Sequence, residues 1–449
     1  MTKAALVLVE LNEVNFDVVQ EYIDKGESLP NFETLMRYES RLTTSEKQYD
    51  LLEPWIQWPS VHTGKTYSEH QIFRLGDVVQ KKPVQIFELI EASGFTVGAM
   101  SPMNAANALS RPAYFVPDPW TDTPSDSSLL SRMLSTALKQ TVNDNSEGRV
   151  TLKSLFYLGC CFLFLVQPHS YWKLITKAFA SRGRPWRKAL FLDRFLHEIH
   201  LSLLVKRKPD FSTVFLNAGA HIQHHYFLNS ASKLVKTGGN PAWYVPPDED
   251  PLREMLSEYD EMLGDLLHQE RWEVLVATGL TQRPVEKSTF YYRLRDHAGF
   301  LQRLSLPRFT VSPRMTRDFL VSCESDKDAE LVADKLSKVV TTRGVRLFGE
   351  IDNRGTDVFV VLDYSREITS DTEVVINGRR SKLIDDVVFV AVKNGEHEGR
   401  GYAYFSPKLQ SFLPDNKAHV STLFYTICSF FGLSSIASRN ASNSFSGTT

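Results

Sequence analysis

Three imidazoles crowd one short stretch, Phe215-Leu-Asn217-Ala-Gly-Ala-His221-Ile-Gln-His224-His225-Tyr226. Histidine titrates near neutral pH and is the commonest protein metal ligand, so such a group can move protons or hold a cation. Asn217 adds a neutral oxygen donor beside them. The preceding Asp210-Phe-Ser-Thr-Val-Phe215 is short, apolar and β-branched, which predicts a buried strand, and the small residues that follow break it. In an open parallel α/β sheet, ligands bind beyond the carboxyl ends of the strands. The imidazoles therefore stand where a site is expected. The plain alternative gives one His to packing, one to a helix cap and one to water.

Other groups with chemical potential lie at similar places. The first predicted strand, from Ala4, ends in Glu10-Leu-Asn12-Glu13, putting a carboxylate and an amide at a carboxyl edge. A polar, Pro-bearing loop from Glu53 to Gly64 carries Gln57 and His62; His62 either points into a site or caps the next helix. Arg74 can grip a phosphate with two N–H groups, or pair with Asp77. Thr278 and Gln282 follow the strand predicted from Glu273 and are placed to hydrogen-bond a substrate. Arg293 and Arg295 belong to what reads as a loop, either substrate-facing or solvated. Late in the chain, Glu398 and Arg400 stand beside His397 and can either orient it or react, and Glu396 or His224 can join it and His221 as a metal ligand.

These groups need a scaffold. The chain of 449 residues, 42% hydrophobic and 23% charged, is ordinary globular material with room for a large core. A net charge of -2 without a strongly basic stretch argues against a nucleic-acid partner. Four Cys, two of them the adjacent Cys160 and Cys161, fit neither a disulfide framework nor a zinc knuckle. Reduced thiols and a cytoplasmic location are expected. The run from Ala4 to Glu10 is too short for a signal peptide's apolar core. The most apolar segment, Leu155 to Val166, falls short of the roughly 20 residues of a membrane span and reads as a buried helix. Nearby Trp172, Trp186 and basic residues leave a membrane-surface contact through 155–166 open.

Strands alternating with amphipathic helices, such as the one from Pro83 to Gly94 before Phe95–Met100, predict βαβ units. Residues 1–125, 209–310 and 393–437 form the expected core. Residues 126–208 have a helical pattern and read as a cap over the strand ends that excludes water from the site. Residues 311–392 read as a small α+β insert with a hairpin turn at Asn377-Gly378. Residues 438–449 read as a disordered tail.

The order of these pieces carries a resemblance. Asn15-Phe-Asp17, Leu29-Pro30-Asn31-Phe32, Gln57-Trp58-Pro59-Ser60 running to Thr63-Gly64, and Glu69-His70 resemble the opening of the alkaline phosphatase superfamily. The nearest branch is the type I phosphodiesterase/nucleotide pyrophosphatase group. Asn217 to His221 is similar to that family's Asp-x-x-Gly-His motif, Thr278-Gly279 stands where it has Asp-His, and Gly395-Glu-His397-Glu-Gly399 is similar to its late Gly-x-His-Gly. The resemblance runs from the N-terminus to about Leu433. It implies a three-layer αβα sandwich of alkaline phosphatase type, carrying the helical cap and the α+β insert.

Carried over by resemblance, one metal would sit on Asn217, His221 and His397, with an amide in place of the family's carboxylate. The second metal's positions become Glu10, Gln57, Thr278 and Gly279. Only Glu10 among them is a strong ligand, so that second site is expected to be lost. Gln57 has no hydroxyl with which to form a covalent phospho-enzyme. The resemblance implies a phosphoesterase, phosphodiesterase or phosphoryl transferase for a phosphorylated sugar or nucleotide-type small molecule. At most one zinc or manganese is retained. The expected catalytic residues are Glu10, Gln57 and His224, with Asn12, His62, Arg74, Thr278 and Gln282 on the substrate. Three mechanisms stay open: hydrolysis on one metal, metal-free acid–base chemistry on the imidazoles, or an inactive relative that binds a phosphorylated ligand or acts as a scaffold.

Overall fold

The computed structural model describes residues 5–143, 151–236, 238–314 and 317–434. The expected tail at 438–449 lies outside them. Two compact units result: Met1–Pro284 with Gly395–Thr449, and Val285–Asn394.

The first unit is built on an eight-stranded sheet: β1 (Leu6–Leu11), β2 (Glu39–Thr44), β3 (Val97–Met100), β4 (Tyr114–Val116), β5 (Phe211–Leu216), β6 (Glu273–Ala277), β7 (Arg400–Phe405) and β8 (Ala418–His419). Their order across the sheet is β8-β2-β7-β6-β1-β5-β3-β4. The central strands run parallel, with Glu10 opposite Phe215 on one side and Ala277 on the other. Only β7 runs against its neighbours. β1 and β5 are buried along their whole length, which explains their unbroken apolar sequences.

Side chains alternate between the two faces of a strand, and here they feed two separate cores. Val7, Val9, Leu11, Val214 and Leu216 pack with the helices Phe16–Asp24, Pro185–Arg207 and Pro251–Leu267. Leu6, Leu8, Phe211 and Phe215 pack instead with Pro54–Thr63, Ile86–Ala92 and Thr422–Phe430. The result is an α/β three-layer sandwich.

The segment expected as a cap holds four helices, Leu129–Asn143, Leu152–Leu165, Tyr171–Ala180 and Pro185–Arg207. The last belongs to the sandwich rather than to a cover over strand ends: it packs on β5, and His200 Nε2 meets Ser212 Oγ at 2.9 Å. The apolar segment 155–166 also differs from expectation. Leu155, Phe156, Leu163 and Phe164 are exposed, so this is a surface helix and not a buried one. No described helix is long and apolar enough to cross a membrane.

In the second unit, four antiparallel strands in the order Phe348–Arg354, Asp357–Leu362, Asp318–Cys323, Phe309–Pro313 are covered by helix Asp326–Ser337 through Ala329, Val332 and Leu336. A separate hairpin turns on Asn377 and Gly378, both at positive φ as its two-residue loop requires. The unit begins before the expected Val311. The stretch read as an Arg-bearing loop is a strand, Thr281–Leu294, followed by the helix His297–Gln302 that Asp296 caps.

Candidate metal centre

β1 ends at Leu11, and the chain must turn at once into helix Phe16–Asp24, which Asn15 caps by accepting the Asp17 N–H. The turn is made at Glu13, whose φ of 61° is left-handed and costs a non-glycine residue roughly 1–2 kcal/mol. Contacts from distant parts of the chain hold it there. The Glu13 N–H donates to the Thr278 carbonyl (3.0 Å), and its own carbonyl accepts from Gln223 Nε2 (2.8 Å). This backbone sends the carboxylate inward, where it is buried.

Two imidazoles meet that carboxylate. His224 comes from helix Ala218–Tyr226, which follows β5, and His397 from the end of strand Val387–Glu398. Glu13 Oε2 lies 3.2 Å from each Nε2, and the two Nε2 atoms lie 3.1 Å apart. Gln282 Nε2 donates to the same Oε2, and Asn12 Nδ2 donates to Oε1 at 3.2 Å. Asn12 is itself fixed, since its Oδ1 accepts from Trp58 Nε1 (2.8 Å) and its Nδ2 also donates to Asn217 Oδ1 (2.9 Å). Gly395 allows the close approach of the His397 strand: a Cβ there would lie 2.2 Å from Gln282 Oε1 and 2.6 Å from the Gln223 carbonyl.

The donor set fits a divalent cation. Ligand atoms at about 2.0–2.1 Å from a tetrahedral centre stand about 3.3 Å from one another, close to the edges of this triangle. Hydrogen bonding alone serves the arrangement poorly. One oxygen receives an amide and faces two imidazole nitrogens, while the short contact between those nitrogens admits one proton at most. Among the described residues, Glu13, His224 and His397 form the group of this kind with mutually close ligand atoms. The free nitrogen of His397 is oriented too, through a hydrogen bond to the Leu52 backbone and Glu53 Oε2 at 3.6 Å from Nδ1.

Burial opposes charge at both ends of the triangle, and mutual attraction outweighs it. The Glu13 carboxyl is held well below the usual carboxylate range by His397 and His224 against its burial. His397, half-buried, is lifted to about 9 against its desolvation, mainly by Glu13. The way in is at His224, whose side chain is 30% exposed against 1% for Glu13 and 10% for His397.

The other residues singled out in the sequence divide into two groups. Asn12, Gln282 and Thr278 stand around Glu13: the first two touch its carboxylate, and Thr278 holds its backbone while its hydroxyl accepts the Tyr402 N–H (2.9 Å). Asn217 reaches Asn12 and no further. His221 lies outside the triangle, its ring packed against His225 (4.9 Å) and Tyr226 (6.1 Å), with burial pushing it down to about 4. The metal set Asn217–His221–His397 is thus not what converges; Glu13 and His224 take the first two places.

Glu10 is the clearest correction. As an even-numbered residue of β1 it faces the second core, where its Oε1 meets His62 Nε2 (3.0 Å) and accepts from Thr213 Oγ1 (2.6 Å). His62 is therefore a partner of Glu10 inside that layer. Gln57 is fully buried in the same helix, donating to the Leu51 carbonyl (2.9 Å). Arg74 is exposed, and its backbone N–H donates to Asp77 Oδ2 (2.9 Å), so this loop is closed locally. The nearby Ser60–His70 contact (3.0 Å) is no nucleophile–base pair. His70 Nδ1 accepts the Ile72 N–H, which leaves Nε2 as the donor to Ser60.

The sequence matches no protein family and no curated protein. Among solved structures it is similar to an inactive variant of murine ectonucleotide pyrophosphatase/phosphodiesterase 5 in complex with AMP, at 11% identity over 96% of both chains with a TM-score of 0.44. It is also similar to phosphonoacetate hydrolase from Sinorhizobium meliloti 1021 with phosphonoformate (12%, 96% of both chains, TM-score 0.43). A third is alkaline phosphatase from the Antarctic bacterium TAB5 (10%, 96% of this chain and 99% of that one, TM-score 0.41).

Proposed function

We propose that the chain is a hydrolase of phosphorylated small molecules, working with one divalent cation, zinc or manganese, on Glu13, His224 and His397. The observation that carries this reading is the triangle of donor atoms with edges of 3.1–3.2 Å. Two imidazoles and one carboxylate suit either cation and leave coordination positions for a substrate. When bound, the cation would supply Lewis-acid polarisation of a substrate oxygen. The phosphoester class rests on the order of the motifs from Leu29-Pro30-Asn31 to Gly395-Glu-His397.

The chain's own residues do the rest. Asn12 and Gln282 fix both oxygens of Glu13, and the Leu52 backbone fixes His397, so the donors are set before anything binds. His224, on the open side, serves as a ligand in this reading rather than as a free acid or base. Position 57 offers no hydroxyl and its amide is committed to Leu51, so this residue forms no covalent enzyme intermediate, and this reading has water as the acceptor. The same observation favours a second reading, a binding protein that keeps the cation and has given up turnover.

The test is cation content per chain, on protein purified without chelator, beside His397→Ala, with turnover of a panel of phosphomonoesters, phosphodiesters and nucleotide sugars. One equivalent and turnover, both lost in the variant, are expected. One equivalent without turnover selects the binding reading. No cation taken up from either zinc or manganese would sink both.

A further inference from the structure

The surface around helix Leu152–Leu165 contributes no residue to that site. At 14 residues the helix is about 21 Å long, too short to cross a bilayer core of about 30 Å. Its exposed positions Leu152, Leu155, Phe156, Gly159 and Leu163 recur at helical spacing, so they form one stripe, with Phe164 at its margin. Ser154, Cys161 and Leu165 face the protein on the opposite side. The next helix, Tyr171–Ala180, repeats the pattern with Trp172, Ile175 and Phe179 exposed at i, i+3 and i+7. Tyr171 ties the two together: its ring stacks on Phe162 at 4.6 Å, and its hydroxyl donates to the Leu163 carbonyl at 2.7 Å.

Charge identifies the occupant. From Thr151 to Lys188 the sequence carries seven Lys or Arg and not one Asp or Glu, in a chain whose net charge is -2. Lys173, Lys177, Arg184 and Arg187 pair with acids of other segments. Lys153, Arg182 and Lys188 are exposed, and two of them lie over exposed or half-buried aromatic rings, Lys153 over Tyr157 and Arg182 over Phe179. An apolar face with aromatic residues and a basic margin fits the boundary between headgroups and acyl chains. A second copy fits less well, because a two-fold contact would set two basic patches against each other.

We propose that this surface seats the protein on an anionic lipid membrane, with helices Leu152–Leu165 and Tyr171–Ala180 lying in the interface plane and not spanning it. The test is flotation of the full chain with vesicles of phosphatidylcholine alone and of phosphatidylcholine with about one-third phosphatidylserine, alongside the mass in solution. Two variants accompany it, Phe156→Glu/Phe164→Glu and Lys153→Glu/Arg182→Glu/Lys188→Glu. Both change exposed side chains only, and unaltered melting with retained cation content shows that they fold. Expected are flotation with the anionic vesicles, a drop of at least about tenfold in the apolar variant, and loss of the preference for phosphatidylserine in the charge variant. The proposal is overturned if the wild type floats with neither vesicle, or if the apolar variant floats undiminished. A solution dimer that the apolar variant dissolves would also overturn it, by naming a second copy as the occupant.

Discussion

Glu10 and Glu13 come from the same strand end, and each faces imidazole, yet they belong to different kinds of place. Glu10 and His62 are both fully buried, with Thr213 as the other hydrogen-bond partner of Glu10 among the described residues; Glu10 Oε2 and His62 Nδ1 are buried without a hydrogen-bond partner there. Glu13 has amides on both oxygens and two imidazoles before it, and the group opens to solvent at His224. Position on the strand makes the difference. Glu10 obeys the alternation of β1 and is sent into the helical layer. Glu13 lies past the strand, where a left-handed backbone aims its carboxylate independently. A closed pair holds two layers together, whereas an open group with spare coordination can act on something from outside.

That contrast is testable first by its largest effect. Removing one member of a buried acid–imidazole pair leaves the other without compensation, at a cost of about 3–5 kcal/mol. Glu10→Ala and His62→Ala are each expected to lower stability by that order in denaturant melts, while the folded fraction keeps its cation. Variants that stay as stable as the wild type but lose the cation would move the site back to Glu10.

The reverse pattern is expected at Glu13. Glu13→Gln preserves size and most hydrogen bonds but removes the charged donor, so cation affinity should fall by about 100-fold or more. Without cation, stability should change by less than about 2 kcal/mol. Calorimetric titration with zinc and melts in chelator read the two quantities separately. Equal loss of stability and affinity would erase the distinction drawn between the two acids.

Much of this arrangement is legible in the sequence, for physical reasons that also mark the limits. The apolar run of β5 followed by Asn217-Ala-Gly-Ala-His221 announces a strand end with imidazoles beyond it, and His397, Gln282 and Asn12 do stand by one another. Glu13 is not selected by any local rule. Its φ of 61° is unfavourable for Glu and exists because Thr278 and Gln223, far away in sequence, grip its backbone. The helix Leu152–Leu165 misleads differently: apolar content around a helix predicts burial, but composition does not reveal whether a neighbour covers it. Strand Thr281–Leu294 is disguised by Arg283, Glu286, Lys287 and Arg293, which read as a solvated loop.

Acid acts at a third imidazole, His70, buried against the same helix that carries His62. Its Nδ1 accepts a backbone N–H, so the fold requires a neutral ring. Burial pushes it down to about 4; His419, Lys65 and Lys81 push the same way, and Glu69 opposes. In the unfolded chain the ring takes a proton below its ordinary value of about 6.5. Between those limits the unfolded state binds more protons, so stability rises with pH and is lost as pH falls from about 6.5 to 4. The loss expected from this residue is on the order of 3 kcal/mol. His70→Gln should flatten that part of the stability–pH curve relative to the wild type; an unchanged slope would show that acid acts elsewhere.

The smallest expected effect discriminates most finely. His221 and His224 are three residues apart on one helix, a spacing that puts them on the same side. Only His224 reaches Glu13 and His397, while the His221 ring is spent on His225 and Tyr226. His221→Ala should therefore leave one cation per chain, with affinity within about threefold of the wild type, whereas His224→Ala should weaken it at least about tenfold. Both are read by competition against a zinc-sensitive dye at fixed pH. If His221→Ala empties the site and His224→Ala does not, the cation belongs to Asn217, His221 and His397, and Glu13 becomes one more buried acid like Glu10.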